Sequence, residues 1–207
     1  MTKNPNNTIR SFIAVEIPNQ ETLKEVQYYQ KRLQAAIGPL KLVSPDLMHI
    51  TLKFLGNITL DAAKKIYEII QNEINQPFFS DNREYNGSFK GVGDFRKQVF
   101  FVNIGSEEIL SLLQQWFEIL EESLNQKLGI SRESRAFRPH LTIARVKKNR
   151  GRRKNPQLSL KNPGQPSYGA LKQEFHNHYF GEWNIKKIVL KKSILTPRGP
   201  IYSDITF

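Results

Sequence analysis

Two four-residue stretches of the chain share one pattern: His49-Ile50-Thr51-Leu52 and His140-Leu141-Thr142-Ile143, 91 residues apart. Each reads histidine, apolar, threonine, apolar. Imidazole, with an ordinary pKa of about 6.5, takes or gives a proton near neutral pH. Two imidazoles facing one substrate can act as base and acid in a single step. A threonine hydroxyl can donate a hydrogen bond to a phosphate oxygen, where charge builds in the transition state. Neither side chain is the nucleophile in such a scheme; a water or a ribose hydroxyl attacks.

Other readings compete. One histidine in a strand is usually a structural residue with a satisfied hydrogen bond, and it is the repetition that argues against this here. Two histidines also suggest zinc. Threonine two residues on is not a usual zinc ligand, however, and no carboxylate or third histidine sits beside either tetrad, so no metal and no cofactor are expected. His176 and His178 are spaced to share a strand face but lack the threonine, and surface histidines are the expectation for them.

The elements that must position the tetrads follow from periodicity. Both tetrads lie in apolar runs, 48–55 and 140–146, that read as strands. Side chains alternate between the faces of a strand. His49 and Thr51 therefore share one face, as do His140 and Thr142, while Ile50, Leu52, Leu141 and Ile143 point into a core. Residues 9–17 read as a strand ended by Pro18. A helix is predicted over 19–37, stopped by Gly38-Pro39, and another over about 60–75 with Thr59 as its cap. Residues 85–104 read as a hairpin around Gly91, Gly93 and Asp94. Ser106 caps a helix over 107–128 with the stripe Ile109, Leu112, Leu113, Trp116, Leu120 and Leu124, and Gly129 ends it. Residues 149–170 read as a loop. Residues 185–195 and 200–207 read as two strands around Pro197-Arg198-Gly199-Pro200. The order predicts an α+β protein with helices packed on mainly antiparallel sheets.

Composition bounds the partner. The 207 residues are 39% hydrophobic and include 13 Phe, enough for a sizeable core, which excludes disorder for the bulk of the chain. The absence of cysteine excludes a disulfide scaffold and a cysteine nucleophile. No apolar run reaches the roughly 18 residues of a membrane helix. The first residues lack the apolar region of a secretory signal, so residues 1–8 read as a disordered tail and a cytoplasmic location is expected. The net charge of +12 is one-sided. Residues 1–130 carry 14 Lys+Arg against 15 Asp+Glu, whereas residues 131–207 carry 17 against 4. The densest run is Lys147, Lys148, Arg150, Arg152, Arg153 and Lys154. Such asymmetry suggests a polyanion, most often nucleic acid; the plainer reading is a solvated basic loop, here about 147–172.

With these residues in view, the chain resembles the 2H phosphoesterase superfamily. Within it, the chain is most similar to the bacterial and archaeal RNA 2′,3′-cyclic phosphodiesterases, also called 2′-5′ RNA ligases. The likeness runs nearly end to end. It includes Arg10 through Pro18, Asp46 through Gly56, Gly91-Val92-Gly93-Asp94-Phe95, Phe137 through Arg145, and Ser193 through Tyr202.

The resemblance implies a bilobal, pseudo-two-fold α+β fold over residues 9–207, with one His-x-Thr strand from each lobe facing a central cleft. It implies a metal-independent enzyme that opens a terminal RNA 2′,3′-cyclic phosphate to a 2′-phosphomonoester and joins ends through a 2′-5′ linkage in reverse. His49 would protonate the leaving 3′-oxygen, His140 would activate water, and Thr51 and Thr142 would hold phosphate oxygens. Arg145 would add charge, Phe54 would stack on the terminal base, and Tyr202 would line the cleft. Strict alternation places Phe54 and Arg145, each five residues past its histidine, on the opposite face. They reach the cleft only if the strand ends or bulges first, and otherwise are packing residues. The expected partner is RNA ending in a cyclic phosphate, tRNA fragments included, bound by a monomer. A 2H enzyme acting on a small cyclic phosphate nucleotide and a catalytically silent RNA-binding protein are the alternatives.

Overall fold

The structure, a computed structural model, describes residues 8–147, 166–197 and 199–207. Its elements in chain order are β1 (Thr8–Glu16), α1 (Gln20–Ile37), β2 (Leu40–Leu42), β3 (His49–Thr59), α2 (Leu60–Ile70), α3 (Gln76–Phe79), β4 (Tyr85–Phe95), β5 (Val99–Ile104), α4 (Glu107–Leu128), β6 (His140–Val146), α5 (Tyr168–Glu174), β7 (Tyr179–Ile185), β8 (Val189–Thr196) and β9 (Gly199–Asp204).

Local chemistry sets the helix ends. The Asn19 side chain accepts from the N–H groups of Glu21 and Thr22 at the start of α1. Thr59 Oγ1 accepts from Ala62 N on α2, and Ser106 Oγ accepts from Ile109 N on α4. Gly129 ends α4 at φ 64, where a side chain would be strained, and its N–H returns to Asn125 O. On α4, Ile109, Leu113, Trp116, Leu120 and Leu124 are buried, each contributing roughly 1.5–3 kcal/mol.

The strands form one sheet in the order β7-β4-β5-β6-β3-β1-β8-β9, with β2 also on β6, and the registered pairs are antiparallel. Four strands lie on each side of the β3–β6 seam. α2 packs on β3 and β8, α1 packs on β2, β6 and β7, and α4 crosses the seam, touching β3 on one side and β4 and β5 on the other. The core joins both halves: Ile13, Val15, Ile50, Leu52, Phe100, Val102, Leu141 and Ile143 all face the helices.

Several expectations change. The helix from Leu60 stays α-helical only to Ile70; a π-turn over Gln71–Asn75 follows, where the Asn75 amide bonds both backbone groups of Ile188. The strand read over 185–195 starts later, at Val189, as β8; Ile185 instead ends β7, a strand over Tyr179–Ile185 absent from the sequence reading, and residues 186–188 connect the two because they have different sheet neighbours. Thr8, assigned to the tail, is the first residue of β1, and residues 1–7 lie outside the described residues. Of the basic loop, 148–165 lies outside them as well, and 168–172 is helical, capped by Ser167 Oγ on Ala170 N. His176 and His178 are not in a strand; they sit in the turn between α5 and β7, with His178 Nε2 2.8 Å from Glu25. Among the described residues no helix is long and apolar enough to cross a membrane.

Candidate active site

The two tetrads begin neighbouring strands at the middle of the sheet. β3 and β6 meet at Ile50 opposite Leu141. In an antiparallel pair that register sets His49 opposite Thr142 and Thr51 opposite His140. The apolar residues between them are fully or nearly buried, while the four polar residues are half-buried on the face away from the helices.

Both imidazoles are held in the same way. His49 Nδ1 donates to Leu47 O at 2.8 Å, and His140 Nδ1 donates to Arg138 O at 2.6 Å. A carbonyl only accepts, so Nδ1 carries the proton and Nε2 of the neutral ring is left as an acceptor for the site. Two aromatic rings flank each imidazole. Around His49 these are Phe12 at 4.8 Å and Tyr202 at 5.4 Å between centroids; around His140 they are Phe95 at 5.0 Å and Phe101 at 4.9 Å. Burial lowers the pKa of both histidines, the backbone bonds oppose it, and the charge of Arg145 lowers both further. Both shifts favour the neutral ring. A phosphate anion between them would favour the imidazolium and restore the proton that an acid needs.

Phe54 and Arg145 are on the site face because both strands bulge at the same place. Ile13 pairs with Lys53 and Ala14 with Thr51, so Leu52 is an extra residue on β3; Phe100 pairs with Ala144 and Phe101 with Thr142, so Ile143 is an extra residue on β6. Each bulge turns two successive side chains inward, Leu52 with Lys53 and Ile143 with Ala144, all buried. The next residue then returns to the side of the histidines. Phe54 lies 6.4 Å from Phe12 and is 61% exposed, so it is available to a ligand rather than spent on packing. The Arg145 charge reaches His49, His140 and Tyr202. Tyr202 is half-buried, edge-on to His49, and its hydroxyl pKa is raised by burial.

The aromatic flanks Phe12, Phe95 and Phe101 were not singled out as site residues from the sequence. Phe12 had a usable signal, since it alternates with Arg10 along β1. Phe101 had none, because its position depends on Gly93, directly across the β4–β5 ladder, where a Cβ would come within 2.3 Å of the ring. Behind His49, Lys191 bonds Glu16 and Asp204, each at 2.6 Å.

A cavity of about 490 Å³ lies elsewhere, between the α2–α3 region and β8, lined by Tyr67, Asn75, Phe79 and Lys187. It holds no paired acid and base, so the open face at the tetrads is the better candidate. Among the described residues no three metal-ligating side chains gather.

A family profile described as the AKAP7 2′5′ RNA ligase-like domain matches residues 11–203. An RNA 2′,3′-cyclic phosphodiesterase of Archaeoglobus fulgidus is 32% identical over 95% of this chain and 98% of its own length. One of Methanothermobacter thermautotrophicus is 30% identical over 95% and 96%. Among solved structures, E. coli LigT complexed with 3′-AMP superposes with a TM-score of 0.68 at 17% identity, covering 96% of each chain.

Proposed function

The chain belongs to the 2H phosphoesterase family, in its AKAP7 2′5′ RNA ligase-like branch, and from that premise we propose that it hydrolyses terminal RNA 2′,3′-cyclic phosphate to the 2′-phosphomonoester. The observation that carries the reading is the crossed pair, each histidine set opposite the other strand's threonine, with both Nδ1 atoms committed to backbone carbonyls.

The step balances with water alone. His140 Nε2 takes a proton as water oxygen bonds to phosphorus. The P–O3′ bond breaks, and His49 Nε2–H gives its proton to O3′. Thr51 and Thr142 hydroxyls donate to the non-bridging oxygens, and Arg145 offsets the charge that builds there. Placing base and acid on opposite strands suits in-line attack. With the 5′-hydroxyl of a second RNA end in place of water, the same groups in the same roles break P–O3′ and form a 2′-5′ linkage; in the cleavage of that linkage the 3′-hydroxyl attacks, the 5′-oxygen leaves, and the histidines exchange roles. The same reading carries finer expectations: tRNA fragments among the substrates, a monomer, and a cytoplasmic location.

The test is an RNA oligonucleotide ending in 2′,3′-cyclic phosphate, incubated with the protein in excess EDTA, with 2′- and 3′-phosphate products resolved. Turnover to the 2′-phosphate is expected. An intact cyclic end after RNA has bound would sink the enzyme reading for this substrate.

A further inference from the structure

The turn joining β4 to β5 is Phe95-Arg96-Lys97-Gln98, closed by Gln98 N donating to Phe95 O at 2.9 Å. Both central residues have positive φ, 52 for Arg96 and 53 for Lys97. This is the hairpin turn that asparagine and glycine fill best. A long side chain in that conformation costs of order 1 kcal/mol or more, and here two successive residues do so. Asp94 lessens the cost by accepting from Lys97 N at 2.7 Å. The outcome is two exposed cations at the tip, directly after Phe95, the ring packed edge-on to His140.

Other cations stand on the same edge. Arg145 is flanked by Lys41 on β2 and Val99 on β5, and Val146 N donates to Gln98 O, which brings Lys147 beside the turn. Lys41, Arg96, Lys97, Arg145 and Lys147 are all exposed, and none forms an ion pair among the described residues. The carboxylate at this edge, Asp94, is already engaged by the Tyr168 hydroxyl at 2.7 Å and Lys172 at 3.0 Å. Across the seam the arrangement is different: Lys191 is tied to two carboxylates, the residue after the bulge is the exposed ring of Phe54, and the exposed cation among the described residues of β1, β3, β8 and β9 is the single Arg10 rather than a cluster.

We propose that the β4–β5 turn, backed by Lys41, Arg145 and Lys147, is a phosphate-binding rim that carries the RNA strand 5′ of the reacting nucleotide. The inference rests on the RNA reading above and adds a direction to it: the terminal base lies toward Phe54, and the rest of the strand crosses the half built on β4 to β6. From Thr142 to Lys147 the strand runs about 16 Å at ~3.3 Å per residue, beyond the reach of one phosphate.

The test uses binding, so it does not depend on turnover. The probe is a fluorescein-labelled eight-nucleotide RNA ending in 2′-phosphate, followed by anisotropy across a salt series, with a nucleoside 2′-monophosphate as competitor. Arg96→Asn with Lys97→Gly installs the residues the turn prefers, so the thermal midpoint should equal or exceed that of the wild type. Affinity for the oligonucleotide should fall about tenfold, with the salt slope smaller by about 1.4 for two lost single-strand phosphate contacts. Affinity for the nucleoside monophosphate should hold within about twofold. A second variant, Arg96→Gln with Lys97→Gln, keeps the turn's stems and should show the same loss. Unchanged oligonucleotide affinity in either folded variant overturns the rim, as does an equal loss for the monophosphate. RNA that binds through the rim but is never hydrolysed would instead sink the activity and leave the rim standing.

Discussion

The two halves of the site share a pattern and differ in what surrounds it. β3 and β6 each present His-x-Thr, fix the imidazole on the carbonyl two residues back, and bulge three residues on. After the bulge they part: Lys53-Phe54 on one strand, Ala144-Arg145 on the other. One half offers an exposed ring, a Lys191 held by two carboxylates and, among the described residues of its strands, a single exposed cation, Arg10, whose charge reaches Tyr202; the other offers a cluster of exposed cations and no exposed ring beside its histidine. On the proposed reading, chemistry that needs two matched proton carriers would use the duplicated part, and recognition of a nucleotide, with a flat base at one end and charge at the other, would use the part that diverged.

The largest effects should come from what is duplicated. His49→Ala and His140→Ala should each lower kcat/KM on a cyclic-phosphate RNA by at least ~100-fold. The His49→Ala, His140→Ala double variant should fall little below either single one, since the two act as a unit. If one histidine proves dispensable, the symmetry of the strands is structural only and the acid–base pairing fails.

The next effect separates the halves by stability. Lys53 is buried behind β3 and paired with Glu121 of α4. Lys53 also donates to Ser131 O at 3.1 Å, and Glu121 accepts from Glu133 N at 2.7 Å. Phe137 stacks on Phe117 of α4 at 4.4 Å. The segment entering β6 is thus braced from the other half. Lys53→Met would strand a buried carboxylate and should cost about 3–5 kcal/mol, read by urea denaturation. Lys53→Met with Glu121→Leu should recover most of it. Ala144, the matching residue on β6, has no such partner, and Ala144→Ser should cost far less. Equal losses at 53 and 144 would contradict the brace.

How much of this was legible in the sequence depended on whether the controlling contact was local. The tetrads, α4 with Ser106 and Gly129, and the strand at 140–146 depend on alternation, helical spacing and caps, which neighbouring residues carry. The bulges do not. Whether Leu52 and Ile143 are extra residues is decided by β1 and β5, and alternation alone puts Phe54 and Arg145 on the wrong face. The π-turn after Ile70 is likewise imposed from outside, by Asn75 gripping Ile188. Helix α5 escaped notice because it has only seven residues, includes Gly169, and follows a long basic run.

Phe54 tests the recognition half. Phe54→Ala should raise KM for a cyclic-phosphate RNA by an amount matching the ~1–3 kcal/mol of one base–aromatic stack, with kcat changed little. Phe54→Tyr should restore it. A fall in kcat at constant KM would place Phe54 among the groups that position the reacting atoms rather than under the base.

Arg145 tests whether the divergent half still speaks to both duplicated ones. Its charge lowers the pKa of His49 and of His140, so Arg145→Gln should raise both. The sign follows directly. A base works in its neutral form, which is present above its pKa, so a higher pKa moves the acid limb of kcat/KM to higher pH. NMR titration of the two imidazoles in the free protein should show both moving the same way. Lys41→Gln, which removes a charge from the neighbouring strand and acts on neither histidine, should leave both in place. Movement of His140 alone would confine Arg145 to its own half and remove the link across the β3–β6 seam.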